Sequence, residues 1–153
     1  MKKNKSILLG LLLAVFFSLN VQAEGGDPAG QDQELESAPN GGRLFEAGDH
    51  IAEFFFTPER LVEIRFLDDR GEVVETGERE VSLIGGDRTN PIRLKFEVIE
   101  NVFVSTTPIP EGNNFPVILT VRDGDQTIRE RFNLNTSNCP GCQLGEYACT
   151  CDH

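Results

Sequence analysis

The chain has 153 residues, a length that suits one domain once an export signal is removed, and it carries 25 acidic against 14 basic side chains. A net charge of −11 argues against nucleic acid, whose phosphates would repel it, and against an anionic membrane surface. It favours solubility and attracts cations without selecting among them. Any selectivity must therefore come from local clusters of side chains.

Residues 1–23 have the three-part pattern of a cleavable signal peptide. Three lysines within the first five residues precede an apolar run at 7–19, and Val21-Gln22-Ala23 places small residues at the −3 and −1 positions. The apolar run is short for a membrane span, which needs about 20 residues. We expect cleavage after Ala23 and a periplasmic or secreted protein with no further membrane insertion; an uncleaved N-terminal anchor is the alternative.

Residues 24–40 are rich in glycine, proline, glutamine and acids, and Leu35 is the only large apolar residue among them. Such a composition buries too little apolar surface to offset the entropy of ordering the chain. It predicts a flexible linker.

Residues 41–134 show recurring alternation of apolar and polar side chains, which is typical of half-buried strands. The run Ile92–Val98 alternates without interruption, with Arg93, Lys95 and Glu97 on the polar face. The other predicted strands are Asp49–Phe56, Val62–Phe66, Val81–Ile84, Val102–Val104, Phe115–Arg122 and Asp125–Asn133.

Turn signals separate these strands, at Asp69-Arg70-Gly71, Gly85-Gly86 and Pro110–Asn114. Asp123-Gly124 is the strongest, and it predicts a tight hairpin with a type I′ turn. No segment has a sustained 3.6-residue period. Seven to nine short strands predict an all-β, immunoglobulin-like two-sheet β-sandwich, with a small barrel as the alternative. The hallmark tryptophan and inter-sheet cysteine pair are absent.

The tail, 135–153, holds all four cysteines of the chain in the spacing C-x2-C-x6-C-x-C-x-H. Thiolates and imidazole are soft ligands that suit Cu(I) and Zn(II). Cu(I) is favoured because a short, mobile tail can offer it two or three exchanging sulfurs, whereas zinc ribbons usually space their cysteine pairs further apart. The predicted metal ligands are Cys139, Cys142, Cys149, Cys151 and His153.

Two other states of the tail stay open. Four cysteines in an exported chain can form two disulfides, for example Cys139–Cys151 nested around Cys142–Cys149, and three connectivities exist. A redox pair at Cys139 and Cys142 is less favoured, because the βαβ setting of thioredoxin-like motifs is missing. The thiol state of the tail discriminates among these hypotheses.

Little else in the sequence points to chemistry. His50 is a lone histidine in the strand region, and a hairpin turn explains the acids that flank Gly124. No serine-hydrolase, zinc-protease or phosphate-binding motif is present, so we expect no enzymatic activity. Because the tail has no apolar core of its own, we expect truncation after Leu134 to leave the sandwich folded.

Four stretches of the sequence are similar to those of a known group of domains. They are Pro39–Leu44, Gly48–Glu53, Phe66-Leu67-Asp68 and a later one from Phe115 to Leu134. Together, over 39–134, the chain resembles small exported β-sandwich domains found with, or fused to, periplasmic adaptors of heavy-metal efflux pumps of the resistance-nodulation-division type. The resemblance implies an accessory role in copper- or zinc-type efflux, with an adaptor or metallochaperone as partner. It transfers no ligands within the sandwich. The chain departs from the adaptors in carrying its cysteines at the C-terminus. Because it has no sequence for their long helical hairpin and barrel, we expect that it is not itself an adaptor.

The sequence thus predicts an exported, non-enzymatic protein that holds Cu(I), or else Zn(II), on its tail. The alternative is an envelope interaction domain, with a disulfide-stapled tail and no metal, that binds a protein through its strand edges.

Overall fold

The computed structural model describes Leu35 and residues 37–151. The predicted signal peptide, most of the predicted linker and His153 lie outside the described residues.

Nine antiparallel strands form two sheets in the described part of the chain, which confirms the immunoglobulin-like two-sheet sandwich. The five-stranded sheet has the order β1-β2-β3-β7-β6 and the four-stranded sheet the order β5-β4-β8-β9. A short 3₁₀ turn, Glu146–Ala148, follows the last strand. The strands are β1 (Arg43–Ala47), β2 (His50–Phe56), β3 (Val62–Leu67), β4 (Glu80–Gly86), β5 (Pro91–Leu94), β6 (Phe96–Ile99), β7 (Val102–Ser105), β8 (Asn114–Asp123) and β9 (Gln126–Asn135).

The core lies between the two sheets and is built from the alternating apolar positions that the sequence predicts. Phe54, Ile64 and Phe66 face inward from the larger sheet, and Leu119 and Val121 from the smaller one, and all are essentially inaccessible to solvent. Burial of such side chains contributes roughly 1.5–3 kcal/mol each to folding. No helix among the described residues has the length and hydropathy needed to span a membrane.

The prediction that Ile92–Val98 forms a single strand is wrong. The chain breaks at Lys95, so that β5 pairs with β4 in one sheet while β6 pairs with β7 in the other. Alternation persists through the break because Leu94 and Phe96 both face the space between the sheets. Periodicity reports the buried face of a strand and not the sheet to which it belongs.

The hairpin between β8 and β9 is confirmed, but its turn differs from the prediction. Asp123 pairs with Gln126, so the loop residues are Gly124 and Asp125, and only Gly124 has a positive φ (55°). That pattern belongs to a type II′ turn and not to the predicted type I′ turn. The double positive φ of a type I′ turn occurs instead at Glu100-Asn101, between β6 and β7.

Candidate metal centre

The cysteine-rich tail folds back on the side of the sandwich where β1 and β9 form the two sheet edges. Asn138 and Gly145 form a β-bridge, and the Glu146 N–H donates to the Ser137 carbonyl (2.8 Å). These bonds close a loop at 138–145, which we call the cysteine loop, and it positions the 3₁₀ turn against β9 and β1. The tail therefore belongs to the same compact unit as the sandwich.

Tyr147 anchors the tail in the core. Its side chain is 7% exposed, and its ring lies edge-on to Phe54, with 5.7 Å between the ring centroids. The hydroxyl oxygen accepts a hydrogen bond from the Phe56 N–H (3.1 Å). Burial, reinforced by the charge of Glu53, raises the pKa of the phenol above its ordinary value of 10.0 against the opposing effect of that hydrogen bond. This docking argues against the expectation that the sandwich is indifferent to truncation after Leu134.

The buried carboxylate of Glu53 holds the 38–42 turn against the cysteine loop. Glu53, 0% exposed, accepts hydrogen bonds from the Asn40 N–H (2.9 Å), the Asn40 side-chain amide (2.8 Å) and the Gly42 N–H (2.9 Å). A Cβ on Gly41, whose φ is +75°, would lie 3.0 Å from Leu144. The 38–42 turn therefore packs closely on the cysteine loop. Alternation alone would have placed Glu53 on an exposed face.

Backbone hydrogen bonds within the loop fix the first cysteine pair. The Cys139 N–H donates to the Leu144 carbonyl (2.7 Å), and the Gln143 N–H donates to the Cys139 carbonyl (2.9 Å). Gln143 adopts a positive φ of 65°, which turns the chain back after Cys142. A Cβ on Gly141 would lie 3.3 Å from the Cys151 sulfur, so the glycine lets the second cysteine pair approach the first.

The four sulfur atoms form one cluster in which all lie within 4.8 Å of one another. The Cys149 sulfur is 3.2 Å from that of Cys139 and 3.6 Å from that of Cys142. Zn–S bonds of about 2.3 Å in a tetrahedron imply sulfur–sulfur separations of about 3.8 Å. Both separations are shorter than this value, so the four sulfurs are close enough to share one ion after small shifts.

The thiols are electrostatically unequal. Hydrogen bonds to the Cys139 sulfur, first from the Cys142 N–H, then from the Cys149 thiol, lower the pKa of Cys139 to about 6. Donation of its proton to Cys139 raises the pKa of Cys149 to about 12. One thiolate therefore forms readily at Cys139, while further negative charge in the cluster is disfavoured unless a cation compensates it.

Exposure increases along the cluster. Cys139 is buried, Cys142 and Cys149 are half-buried, and Cys151 is exposed. The site is therefore closed on the side of the sandwich and open to solvent at Cys151. The predicted fifth donor, His153, lies beyond the described residues.

The geometry bears on the two alternatives to a metal site. Both sulfur separations exceed the roughly 2.05 Å of a disulfide bond. Cys149 approaches two sulfurs at once, whereas two disulfides require two exclusive pairs. The redox alternative requires a helix that begins at the first cysteine, and the described tail has only the 3₁₀ turn, after the first pair.

The remaining predicted groups do not join the cluster. His50 lies half-buried at the start of β2. Asp123 accepts a hydrogen bond from Arg79 (2.8 Å), as part of an ion pair. Within the described residues, the four cysteines are the single group of three or more metal-ligating side chains close enough to share an ion.

The chain was compared with known proteins. No family model, no curated protein and no solved structure matches it.

Proposed function

We propose that the protein binds one thiophilic metal ion through Cys139, Cys142, Cys149 and Cys151. The observation that carries this proposal is the convergence of four sulfur atoms within 4.8 Å, at the end of a tail anchored in the core. A cluster of four cysteines with no ion would gain little, because hydrogen bonds between thiols are weak and thiolate charges repel one another.

Zn(II) fits this geometry better than Cu(I), which reverses the order that the sequence favours. The preference for Cu(I) depends on a mobile tail that offers two or three sulfurs. Here the tail is docked through Tyr147, and the four sulfurs lie within 4.8 Å of one another. Four-coordinate tetrahedral sulfur sites are typical of structural zinc.

Cys151 is the ligand through which an ion would enter and leave in this proposal, because it is the most exposed of the four. His153, two residues further on, is suited to replace it during exchange. The signal-peptide pattern supports an activity outside the cytoplasm. The resemblance described above favours an accessory role in heavy-metal efflux, with an adaptor or metallochaperone as recipient.

Native mass spectrometry of the mature chain, purified from the periplasm, tests the proposal. We expect a mass increase that corresponds to one zinc or copper ion, lost in the variant with all four cysteines changed to serine. His50→Ala is the matched control, because it removes a potential ligand outside the cluster, and it should retain the ion.

A metal-free chain that is lighter by four hydrogens would overturn the proposal. That mass corresponds to two disulfides and would favour the interaction domain with a stapled tail. Retention of the ion by the four-serine variant would equally overturn it, since the ion would then lie elsewhere.

A further inference from the structure

The two sheets leave two open sides, and the chain closes only one of them among the described residues. On the β1/β9 side, Tyr147 fills the gap, and Arg43 pairs with Glu130 across it (2.8 Å). The opposite side is flanked by β6, the edge of the larger sheet, and by β4 and β5 of the smaller sheet. On the β1/β9 side, an apolar segment of the chain itself thus covers the gap between the sheets.

The second side is open because the chain changes sheets at Lys95. β5 covers β4 only over Leu83–Gly86, whereas β8 pairs with β4 over Glu80–Gly85. After Leu94 the chain crosses to the larger sheet and becomes β6. In the described structure, Glu80–Ser82 is therefore a strand edge with a ladder on the β8 side alone.

A cavity of about 610 Å³ lies at this place, and we call it the β4/β6 groove. Its apolar lining comes from both sheets: Val81, Leu94, Phe96 and Phe103. Val98 is the cross-strand partner of Phe103, so the two side chains share the inward face of the sheet. Phe103 is 5% exposed but Val98 is 51% exposed, which shows that the apolar face extends beyond what the smaller sheet covers.

The rim of the groove is positively charged in a chain with a net charge of −11. Its lining includes three cations, Arg79, Lys95 and Arg122, and one acid, Glu80. Arg79 is already paired with Asp123, and Arg122 makes only an exposed, long contact with Glu80 (3.5 Å). Lys95 is exposed and has no ion pair among the described residues. Lys95 and Arg122 are thus accessible to an anionic ligand.

We propose that the β4/β6 groove binds an extended segment of a partner protein in which apolar and acidic side chains alternate. The segment lies beside β4 in line with β5, beyond the point where β5 ends, and it pairs with Glu80–Ser82. Its apolar side chains enter the groove beside Val81 and Phe96, and its carboxylates contact Lys95 and Arg122. Strand addition suits such an edge because backbone hydrogen bonds provide affinity and alternate side chains provide specificity. This proposal is independent of the metal site.

A synthetic heptapeptide, acetyl-Glu-Val-Glu-Val-Glu-Val-Glu-amide, tests the proposal on the full mature chain by calorimetry and amide NMR. We expect binding, with slowed amide exchange in the segment Glu80–Ser82. A peptide with lysine in place of each glutamate should bind at least about tenfold more weakly, because the rim charges then repel it. A proline at the central position should also abolish binding, since it removes a ladder donor.

Variants of the protein locate the site. Lys95→Glu, in the lining, and Val98→Asp, on the exposed apolar face beside the lining residue Phe103, should each weaken binding of the acidic peptide about tenfold or more. Ile84→Asp and Arg129→Glu are the matched controls, because they also replace an apolar or a basic side chain by an acid, at exposed positions away from the groove, and they should leave affinity unchanged.

Three results would overturn the proposal. One is failure of the acidic peptide to bind, and another is equal binding of the lysine or proline peptide. The third is self-association of the mature chain in sedimentation equilibrium that Val98→Asp disrupts, because a second copy of the chain would then occupy the groove.

Discussion

At the scale of single residues, two buried polar groups that the alternation pattern does not reveal connect the sandwich to the cysteine loop. Glu53 holds the turn at Asn40–Gly42, which contacts Leu144, and Tyr147 joins the loop to β2. Both depend on partners that are remote in sequence. A charged residue on a strand is normally exposed, so Glu53 is recognisable only once its three donors are in place.

Tyr147→Phe should lower the free energy of unfolding by about 1–3 kcal/mol at pH 7, because the Phe56 N–H loses its acceptor. The folded state raises the pKa of this phenol, so the unfolded chain releases the proton first as pH rises. The contribution of the Tyr147 phenol to the free energy of unfolding is therefore complete below about pH 10 and is lost as pH rises through the folded pKa. Urea titrations of the unchanged protein and of Tyr147→Phe, at pH 7 and above pH 10, measure the difference between their free energies of unfolding. We expect this difference to be smaller above pH 10. A difference that increases with pH would contradict this account.

At the scale of elements, the tail after β9 packs as part of the sandwich although it adds no further strand among the described residues. Its two most buried apolar residues after the cysteine loop, Tyr147 and Ala148, belong to the main core cluster. The element that carries the ligands is consequently fixed by packing as well as by any ion.

Deletion of residues 136–153 should destabilise the sandwich by about 2 kcal/mol or more, the contribution of one large buried side chain. The control is deletion of residues 152–153 alone, which leaves the docked tail intact and should cost little. Thermal unfolding followed by far-ultraviolet circular dichroism compares the two. An unchanged midpoint after the long deletion would show that the docking contributes nothing to stability.

At the scale of the whole molecule, the cysteine cluster and the core are joined through the docked tail, so metal binding should stabilise the entire sandwich. A ligand that binds only the folded state adds about 2.7 kcal/mol when its concentration is 100 times its dissociation constant. The chain has one tyrosine and no tryptophan, so intrinsic tyrosine fluorescence reports Tyr147 alone.

We therefore expect zinc, added to reduced protein, to raise the unfolding midpoint measured by tyrosine fluorescence and by circular dichroism equally. A chelator should reverse the shift, and the four-serine variant should show none. A shift in fluorescence without one in circular dichroism would mean that the tail unfolds separately from the sandwich.

The sequence by itself determined the class of fold, the positions of most strands and the composition of the cysteine cluster. Alternation over 41–134 reports which faces are buried, and cysteine spacing reports which ligands can converge. The alternation pattern did not predict β1, because the five residues Arg43–Ala47 alternate too briefly to stand out. Only the tertiary structure decided the sheet change at Lys95, the burial of Glu53 and the docking of Tyr147. Each depends on contacts between residues far apart in the chain, which no local pattern records.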